Sequence, residues 1–375
     1  MNVTLNEESL NLHKQKRGKI RIQSTVPVKT KKDLSKIYSP GVAAPSKAIQ
    51  NNPETVHTYT SKERNVAIVT DGTAVLGLGD IGPEASIPVM EGKAALLKRF
   101  ADLDGYPLPL QTTSAEETTN IIKAITPYYN AINLEDIKAP QCFDILHALK
   151  DLPIPVFHDD QHGTAMVILT ALINAYKITP HNKHSPIVIN GAGAAGIATA
   201  DLLHKAGHTN ITVLDSKGVL TTTRTDLNKH KARIVKQTNP NTTTLEEAIH
   251  GAATFIGVSV ADILSQKHVG AMQSDPVIFA LANPAPEINP HKAKQAGAKI
   301  IATGRSDYPN QVNNALIFPG LFKGLIENQR NNLELNDMIH VSEALADLIK
   351  PQTENILPDV FNPDVVPTIT QALKR

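Results

Sequence analysis

The 375-residue sequence lacks tryptophan, contains a single cysteine and is only 4% aromatic. Cys142 has no second cysteine to pair with, so the disulfide-rich secreted class is excluded and a cytoplasmic location is favoured. No histidine or asparagine stands in a recognisable partner motif for a nucleophilic cysteine. The sequence also lacks a charge imbalance. Its 37 basic and 36 acidic residues leave a net charge of +1, which indicates neither nucleic acid nor an anionic membrane as a partner.

Long apolar runs are missing as well. No run of about 18 apolar residues is present that could span a bilayer. The most apolar stretch, residues 165–175, contains Thr170 and Asn174, and we interpret it as a buried helix. Residues 1–19 mix acidic and basic side chains without an apolar core, so a signal peptide is not expected. With 41% hydrophobic residues, the chain is expected to form one large or two medium-sized domains.

One segment of the sequence has the order of a dinucleotide-binding unit. A buried-strand pattern, Ile187–Asn190, leads into the glycine turn Gly191–Gly196, whose sequence GAGAAG fits G-x-G-x-x-G. A helical pattern follows at 197–206, and a second apolar run, 211–214, ends in Asp215. Strand, glycine turn, helix, strand and terminal acid in this order predict one βαβ unit that binds NAD or NADP.

Each residue of the glycine turn has an expected task. Gly191 permits the tight turn, Gly193 lets the backbone approach the pyrophosphate, and Gly196 lets the helix pack close to the strand. Ala194 and Ala195 complete the turn. We assign them to cofactor binding because the pyrophosphate rests on free N–H groups at the helix N-terminus.

Asp215 bears on the choice between the two nucleotides. A carboxylate at this strand end accepts hydrogen bonds from the adenosine ribose and repels a 2′-phosphate, so NAD is expected to be preferred over NADP. Lys217 follows closely, and a lysine there opposes that preference. A second match to the glycine pattern, Gly77–Gly82, is followed by Glu84, whose charge disfavours a phosphate. We interpret this second match as a structural turn near the active site.

Two α/β parts are expected along the chain. Residues 1–160 are predicted to form an N-terminal α/β domain, and residues 161–375 a doubly wound, parallel, Rossmann-type domain. The tail, 333–375, is mostly helical in pattern, and the sequence leaves open whether it packs on the first part. Strands are predicted at 19–23, 66–69, 107–110, 131–134, 155–157, 187–189, 211–214, 253–256, 277–280 and 299–301.

Acidic side chains follow two of the predicted strands. Glu135 and Asp136 come directly after one strand, and Asp160 lies just beyond the next. Open α/β folds bind ligands at the carboxyl ends of strands, and carboxylate oxygens suit Mg²⁺ or Mn²⁺ better than zinc. Adjacent acids alone are usually solvated loop charges. The pairing of two acidic strand ends favours a metal site over that alternative.

Other candidate residues are individually less specific. Lys93 lies on a helical stretch rich in alanine and leucine. It is either a general base with a lowered pKa or an ordinary lysine whose ammonium reaches water. Asn283 and Asn313 lie next to predicted strands, where asparagine caps turns or donates to a substrate carboxylate. Tyr38 precedes a turn that opens a helix.

Taken together, these segments resemble the malic enzyme family in its short bacterial form. The resemblance spans most of the chain, and the segments follow the family's order. The matching stretches are YSPGVA (38–43), VTDGTAVLGLGDIG (69–82), EGKAAL (91–96), NLED (133–136), FHDDQHGTA (157–165), the glycine turn, LANP (281–284) and NNALIFPG (313–320).

The resemblance implies a role for each candidate residue. The residues similar to the family's divalent-metal ligands are Glu135, Asp136 and Asp160. Lys93 resembles the general base and Tyr38 the general acid, while Asp159 resembles the carboxylate that orients and charges the lysine. Asn283 and Asn313 match asparagines that contact the substrate, and Asn283 is also assigned to the cofactor side of the site.

The activity implied by the resemblance is oxidative decarboxylation of (S)-malate to pyruvate and CO₂. It would use NAD, or less favourably NADP, with Mg²⁺ or Mn²⁺, in a cytoplasmic homodimer or higher homo-oligomer whose first domain takes substrate and metal. Decarboxylation of oxaloacetate is expected as well. Ala74 departs from the long, eukaryotic-type form, which has an arginine there that clamps a malate carboxylate.

Three alternatives to this activity were considered. A dedicated oxaloacetate decarboxylase of the same family is the nearest. A malolactic enzyme ranks lower, because that variant usually resembles the long form. An NAD-binding regulatory protein with an inactive site is disfavoured by the intact candidate residues.

Overall fold

Two mainly parallel β-sheets covered by helices form the framework of the computed structural model, which describes residues 4–112, 114–237 and 242–374. The first sheet is parallel throughout, with the strand order β2-β1-β3-β4. Its strands are β1 (Asn65–Thr70), β2 (Asp104–Pro109), β3 (Ala131–Leu134) and β4 (Val156–His158). Strands β1 and β3 are buried along their whole length, as expected for apolar strands covered on both faces.

The register of the first sheet aligns the ends of its strands. Val69 of β1 pairs with Leu134 of β3, and Leu134 pairs with His158 of β4. Because these strands are parallel, the next residues, Glu135 and Asp159, leave the sheet side by side at its carboxyl edge.

Helix α5 carries the candidate base, Lys93, and packs against the first sheet. Its buried residues Met90, Ala94 and Leu97 recur at helical spacing, and the helix packs along β1 and β2. Lys93 precedes Ala94 on this helix. The helices that cover the first sheet are α5 (Gly82–Ala101), α6 (Ala115–Ile125) and α7 (Gln141–Ala148).

An N-terminal arm, residues 4–59, precedes the first sheet. Its helices are α1 (Leu5–Lys16), α2 (Lys31–Ile37), α3 (Ala43–Asn51) and α4 (Val56–Tyr59), and none of the four contains a buried residue. The predicted strand at 19–23 is wrong, since this segment is irregular and exposed. Lys19 shows the reason: its backbone N–H donates to the Glu91 carboxylate at 2.9 Å, not to a neighbouring strand. An alternating pattern needs a strand partner to become a strand.

The second sheet has the strand order β10-β9-β8-β5-β6-β7. Its strands are β5 (Ile187–Asn190), β6 (Ile211–Asp215), β7 (Gly218–Val219), β8 (Thr254–Gly257), β9 (Val277–Ala280) and β10 (Ile300–Thr303). All pairs are parallel except β6–β7. Sequence analysis missed β7, because a strand of two residues shows no periodic pattern. Since β6 and β8 flank β5 on opposite sides, a crevice opens at the carboxyl end of β5.

Helices cover both faces of the second sheet and link it to the first. The helices within this part are α8 (Thr164–Lys177), α9 (Ala194–Lys205), α10 (Lys229–Val235), α11 (Leu245–Ile249), α12 (Gln266–Gly270) and α13 (Pro290–Gln295). A single apolar core runs from β1 through the buried helix α8 to β5. The division of the chain at residue 160 stays a prediction.

The C-terminal helices are α14 (Phe318–Glu327), α15 (Leu335–Ala346) and α16 (Val365–Ala372). Helix α14 packs against α5, and α15 packs against α8. The ring centre of Phe361 lies 5.6 Å from that of Phe100, so the tail does contact the first part of the chain. Among the described residues, no helix combines the length and apolar character needed to cross a membrane.

Candidate active site

Three carboxylates meet at the carboxyl edge of the first sheet. Glu135 and Asp136 follow β3, while Asp160 lies in the π-helical turn Asp159–Gly163 after β4. Their carboxylate oxygens lie within 4.8 Å of one another. The backbone N–H of Asp136 also donates to the Asp160 carboxylate at 2.8 Å. The structure therefore brings together the predicted acidic trio, Glu135, Asp136 and Asp160.

The acidic trio has the properties of a ligand set for a hard cation. Burial, reinforced by the charge of Asp160, raises the pKa of Asp136 to about 8. Burial likewise raises the pKa of Asp160 to about 6 and that of Glu135 well above its usual value. Oδ2 of Asp136 is buried without a hydrogen-bond partner among the described residues. Because oxygen donors and concentrated negative charge are what Mg²⁺ and Mn²⁺ require, the residues fit such an ion.

Lys93 lies against the acidic trio. Its ammonium pairs with Asp159 and, at 3.0 Å, with Glu135, and it lies 4.5 Å from the centre of the Phe318 ring. The predicted lowering of its pKa is wrong for this arrangement. Burial alone lowers the pKa of Lys93, but attraction by Asp159, Glu135 and Asp160 outweighs burial and raises it. The side chain of Lys93 is 14% exposed, and its ammonium is held by ion-pair partners rather than extending freely into water.

Asn314 is a site residue that sequence analysis missed. Its amide donates to Oδ2 of Asp159 at 3.3 Å, and its Oδ1 accepts from the Thr164 hydroxyl at 3.2 Å. The predicted Asn313 instead accepts the backbone N–H of Ala315 at 2.9 Å and so caps the following turn. The two asparagines were visible in the sequence. Which of them faces Asp159 depends on turn geometry that spacing does not reveal.

The turn Gly77–Gly82 lies beside the acidic trio, as expected for a structural turn near the site. The backbone N–H of Ala74, just before this turn, donates to the carbonyl of Asp136 at 2.9 Å. Gly77 has a φ of 77°, and a Cβ there would lie 3.2 Å from the backbone of Asn283. Asn283 belongs to the second sheet's side. The turn next to the candidate site therefore approaches the second part of the chain.

The glycine turn lies at the carboxyl end of β5. The backbone N–H of Gly191 donates to the Leu214 carbonyl at 2.9 Å, and its φ is 126°. A Cβ on Gly196 would collide with the Gly191 carbonyl, whereas a Cβ on Gly193 would meet no described atom within 4 Å. Gly191 and Gly196 thus have the expected steric tasks. Open space at Gly193 is what a pyrophosphate needs, and nucleotide binding at this turn stays a prediction.

Comparison with known proteins identifies the family. The family model for the malic enzyme N-terminal domain matches residues 17–118, and the model for the malic enzyme NAD-binding domain matches residues 161–369. The chain belongs to the malic enzyme family. Oxidative decarboxylation of malate is the reaction of this family.

Individual relatives cover nearly the whole chain. The bifunctional malic/malolactic enzyme of Bacillus subtilis is 46% identical over 381 residues, which cover 100% of this chain and 93% of that protein. An NADP-dependent malic enzyme of Rhizobium meliloti is 43% identical over 393 residues, 98% of this chain and 51% of its own length. The crystal structure of an NAD-dependent malic enzyme from Thermotoga maritima matches with a TM-score of 0.95 at 44% identity, covering 100% of this chain and 99% of that one.

Tyr38, which resembles the family's general acid, makes no hydrogen bond to Lys93 in the described part of the chain. It is at the C-terminal end of α2 in the N-terminal arm and is 68% exposed. In the part of the chain that the structure describes, its hydroxyl makes no hydrogen bond. Within one protomer, the described contacts therefore do not join the residue that resembles the general acid to the one that resembles the general base.

Two basic residues at the end of β6 were also missed. Arg224 and Lys231 both pair with the Asp215 carboxylate, at 2.8 Å and 2.6 Å. They follow Asp215 by 9 and 16 residues, in a loop and on the short helix α10. Lys217, which sequence analysis considered, directs its ammonium to Asp226 at 2.8 Å instead.

Proposed function

We propose that this protein catalyses the metal-dependent oxidative decarboxylation of (S)-malate to pyruvate and CO₂, with NAD as hydride acceptor. Mg²⁺ or Mn²⁺ would be held by Glu135, Asp136 and Asp160. The observation that carries the proposal is the placement of Lys93, which is buried between Glu135 and Asp159. The turn that contains Asp159 contacts helix α9, whose N-terminus follows the glycine turn. Base, acidic trio and nucleotide turn are thus neighbours.

The chain's own residues divide the chemistry between them. A divalent cation at the acidic trio supplies the positive charge that acidifies the C2 hydroxyl and accepts electron density as CO₂ leaves. Lys93 Nζ, in its unprotonated form, would take the hydroxyl proton, and a bound NAD would supply the acceptor for the hydride of C2. Asp159 keeps that nitrogen oriented through their ion pair. The Tyr38 hydroxyl then protonates C3, which completes pyruvate.

Amide side chains near the candidate base are proposed to orient the substrate. Asn314 already donates to Asp159, and its amide is close enough to the base to reach a substrate carboxylate. Asn283 approaches from the second sheet next to Gly77. Asn313 is retained as a candidate through its own amide nitrogen, since its oxygen is engaged in the turn.

The function is tested by comparing initial rates on three substrate sets. These are malate with NAD, malate with NADP, and oxaloacetate without nucleotide, each with Mn²⁺ and again with EDTA. We expect malate oxidation at a rate comparable to or above nucleotide-free decarboxylation, and loss of both with EDTA. Decarboxylation that exceeds malate oxidation by a wide margin would identify oxaloacetate as the physiological substrate. NADH binding without turnover of either acid would indicate an inactive, regulatory protein.

A malolactic activity is a second candidate, ranked below malate oxidation. It is favoured by the 46% identical Bacillus subtilis relative, whose name includes that activity. In this reaction malate would give lactate and CO₂, with no net release of NADH. Chromatographic measurement of lactate against pyruvate, formed from malate at a catalytic amount of NAD, separates the two reactions.

We further propose that the protein is a homodimer in which the N-terminal arm packs on a second copy. The arm has no buried residue in its helices and exposes Leu10 by 71% and Ile22 by 93%. Apolar side chains exposed at this density mark an association surface. Tyr38 lies on the same arm, so we propose that it serves the partner's site. The cytoplasmic location stays a prediction from the single free cysteine.

Complementation between two inactive variants tests the exchanged tyrosine. In a mixed dimer of Tyr38→Phe and Lys93→Ala, exchange leaves one site intact and places both changes in the other. Co-expression should then restore about a quarter of wild-type activity for random pairing in a dimer. If Tyr38 serves its own site, every site carries one lesion and no activity returns. Sedimentation analysis of the wild type supplies the oligomeric state independently.

A further inference from the structure

The Asp215 carboxylate has no free acceptor for a ribose hydroxyl. Its Oδ1 accepts from the backbone N–H of Lys217 at 2.9 Å and from Arg224 Nη1 at 2.8 Å. Its Oδ2 accepts from Arg224 Nη2 at 3.1 Å and from Lys231 Nζ at 2.6 Å. An ionised carboxylate offers about four lone-pair sites, and all of them are used here. A carboxylate at this position usually favours NAD because it accepts hydrogen bonds from the ribose hydroxyls. Here the protein's own donors already use the acceptor sites of that carboxylate.

The charges around Asp215 favour an added anion. Asp226 pairs with Arg224 and with Lys217, so the cluster holds two acids and three cations. Partial burial alone raises the pKa of Asp215, but hydrogen bonds from Arg224 and Lys231 lower it to about 2, so the acid stays ionised. Even with Asp215 and Asp226 both charged, one positive charge is left over. The N–H groups of Arg224 are all used by Asp215, Asp226 and the Gly218 carbonyl, whereas the side chain of Lys231 is 24% exposed and open to a ligand.

The cluster lies where the adenosine ribose of a dinucleotide binds. Asp215 directly follows Leu214, whose carbonyl accepts the backbone N–H of Gly191 in the glycine turn. In folds of this type the ribose 2′ position lies beside the residue at the end of this second strand, and a nearby arginine accommodates a 2′-phosphate. Lys231 uses one of its three ammonium protons on Asp215, and the other two remain for a ligand.

We propose that Lys231 binds the 2′-phosphate at a site where Arg224 neutralises Asp215, so that this protein accepts NADP in addition to NAD. The biological meaning of this inference rests on the proposed function. The site itself depends only on residues beside the expected adenosine ribose, and not on those that would bind malate. The Lys231 ammonium donates to the phosphate, while the Arg224 guanidinium, whose donors are used within the cluster, neutralises Asp215 and so reduces the repulsion expected from that acid. Two relatives' names, one NAD-dependent and one NADP-dependent, show that both nucleotides occur within the family.

Fragment binding tests the site without malate or metal. Isothermal titration of wild-type protein with 2′,5′-ADP and with 5′-AMP isolates the 2′-phosphate. We expect 2′,5′-ADP to bind at least about tenfold more tightly, as charge-assisted hydrogen bonds to a phosphate predict. Equal binding of the two fragments would overturn the proposal. Because neither fragment is turned over, this outcome is independent of whether malate proves to be the substrate.

Matched variants assign the effect to residues. Arg224→Gln and Lys231→Gln should each lose most of the preference for 2′,5′-ADP while keeping 5′-AMP affinity, which also reports that the pocket is folded. Lys217→Gln is the control, since its ammonium belongs to the same cluster but contacts Asp226. An equal loss in Lys217→Gln, or parallel loss of both fragments in the other two variants, would reject a specific site. If Arg224→Gln fails to fold, Arg224→Lys and Lys231→Gln decide the question, with an intermediate preference expected from the retained charge of the former.

Discussion

Alanine at Gly196 and alanine at Gly193 should have opposite consequences, although the two glycines lie in one turn. Gly196 lies in the first turn of α9, where a Cβ would fall on the carbonyl oxygen of Gly191. Gly193 precedes α9 with a φ of −89°, which any residue can adopt, and a Cβ there meets no described atom within 4 Å. Gly196→Ala should therefore damage the fold of the turn. Gly193→Ala should leave the fold intact and obstruct only the ligand.

The size of each effect follows from these distances. The Cβ of Gly196→Ala would be more than 1 Å closer to a backbone oxygen than the 3.0 Å that real Cβ atoms keep. Backbone has to move to relieve this, and overpacking of that kind costs about 1–3 kcal/mol or more. The melting temperature should fall by roughly 2–4 °C per kcal/mol for a domain of 150–250 residues. For Gly193→Ala, we expect no change in melting temperature and at least about tenfold weaker NADH binding, or 1.4 kcal/mol.

Two measurements distinguish the variants. Thermal unfolding reports the strain, and reduced-nicotinamide fluorescence reports binding with little background, because the chain has no tryptophan. A Gly193→Ala protein that binds NADH like the wild type would refute the placement of the pyrophosphate at this turn. A Gly196→Ala protein with unchanged melting temperature would refute the close approach of α9 to the turn.

Four shorter predictions concern the site and the core. Lys93→Ala should slow malate oxidation by about 10²–10⁴-fold, the range for general acid–base catalysis, while NADH titrations still show binding. Asp160→Asn should abolish malate oxidation and oxaloacetate decarboxylation alike, and near-wild-type rates at low Mn²⁺ would contradict the metal assignment. Asn314→Ala should reduce kcat more than Asn313→Ala, because the Asn314 amide contacts the carboxylate beside Lys93 whereas Asn313 caps a turn. Urea denaturation should show stability falling as pH drops below 6.5, since burial lowers the pKa of folded His208 to about 4, and His208→Gln should flatten that dependence.

Much of the fold was predictable because the buried strands are short apolar runs between polar residues. The bounds predicted for β3 and β9 agree with the observed Ala131–Leu134 and Val277–Ala280. The same kind of alternating pattern wrongly predicted a strand at 19–23, because among the described residues this segment has no neighbouring strand with which to pair. Pattern alone records which faces of a segment are apolar, and pairing depends on the rest of the sheet.

The candidate-site residues that directly follow the ends of strands were predictable from the sequence. Parallel pairing of β3 with β4 is sufficient to place Glu135 near Asp160, because both leave the same edge. Asn314, Arg224 and Lys231 escaped prediction for a different reason. Their side chains reach the site from a turn, a loop and a short helix, whose directions are set by local hydrogen bonds rather than by periodicity.

The pKa of Lys93 is the property of the candidate base that the sequence predicted incorrectly. Its sequence neighbours Ala94 and Ala95 describe only the apolar surroundings, and burial among them does lower its pKa. The opposing charge comes from Asp159, 66 residues further along the chain, and from Glu135, which directly follows β3. Attraction to these acids wins while their charge is uncompensated. A divalent cation bound by the acidic trio would offset part of that negative charge, which favours the neutral amine that a general base requires.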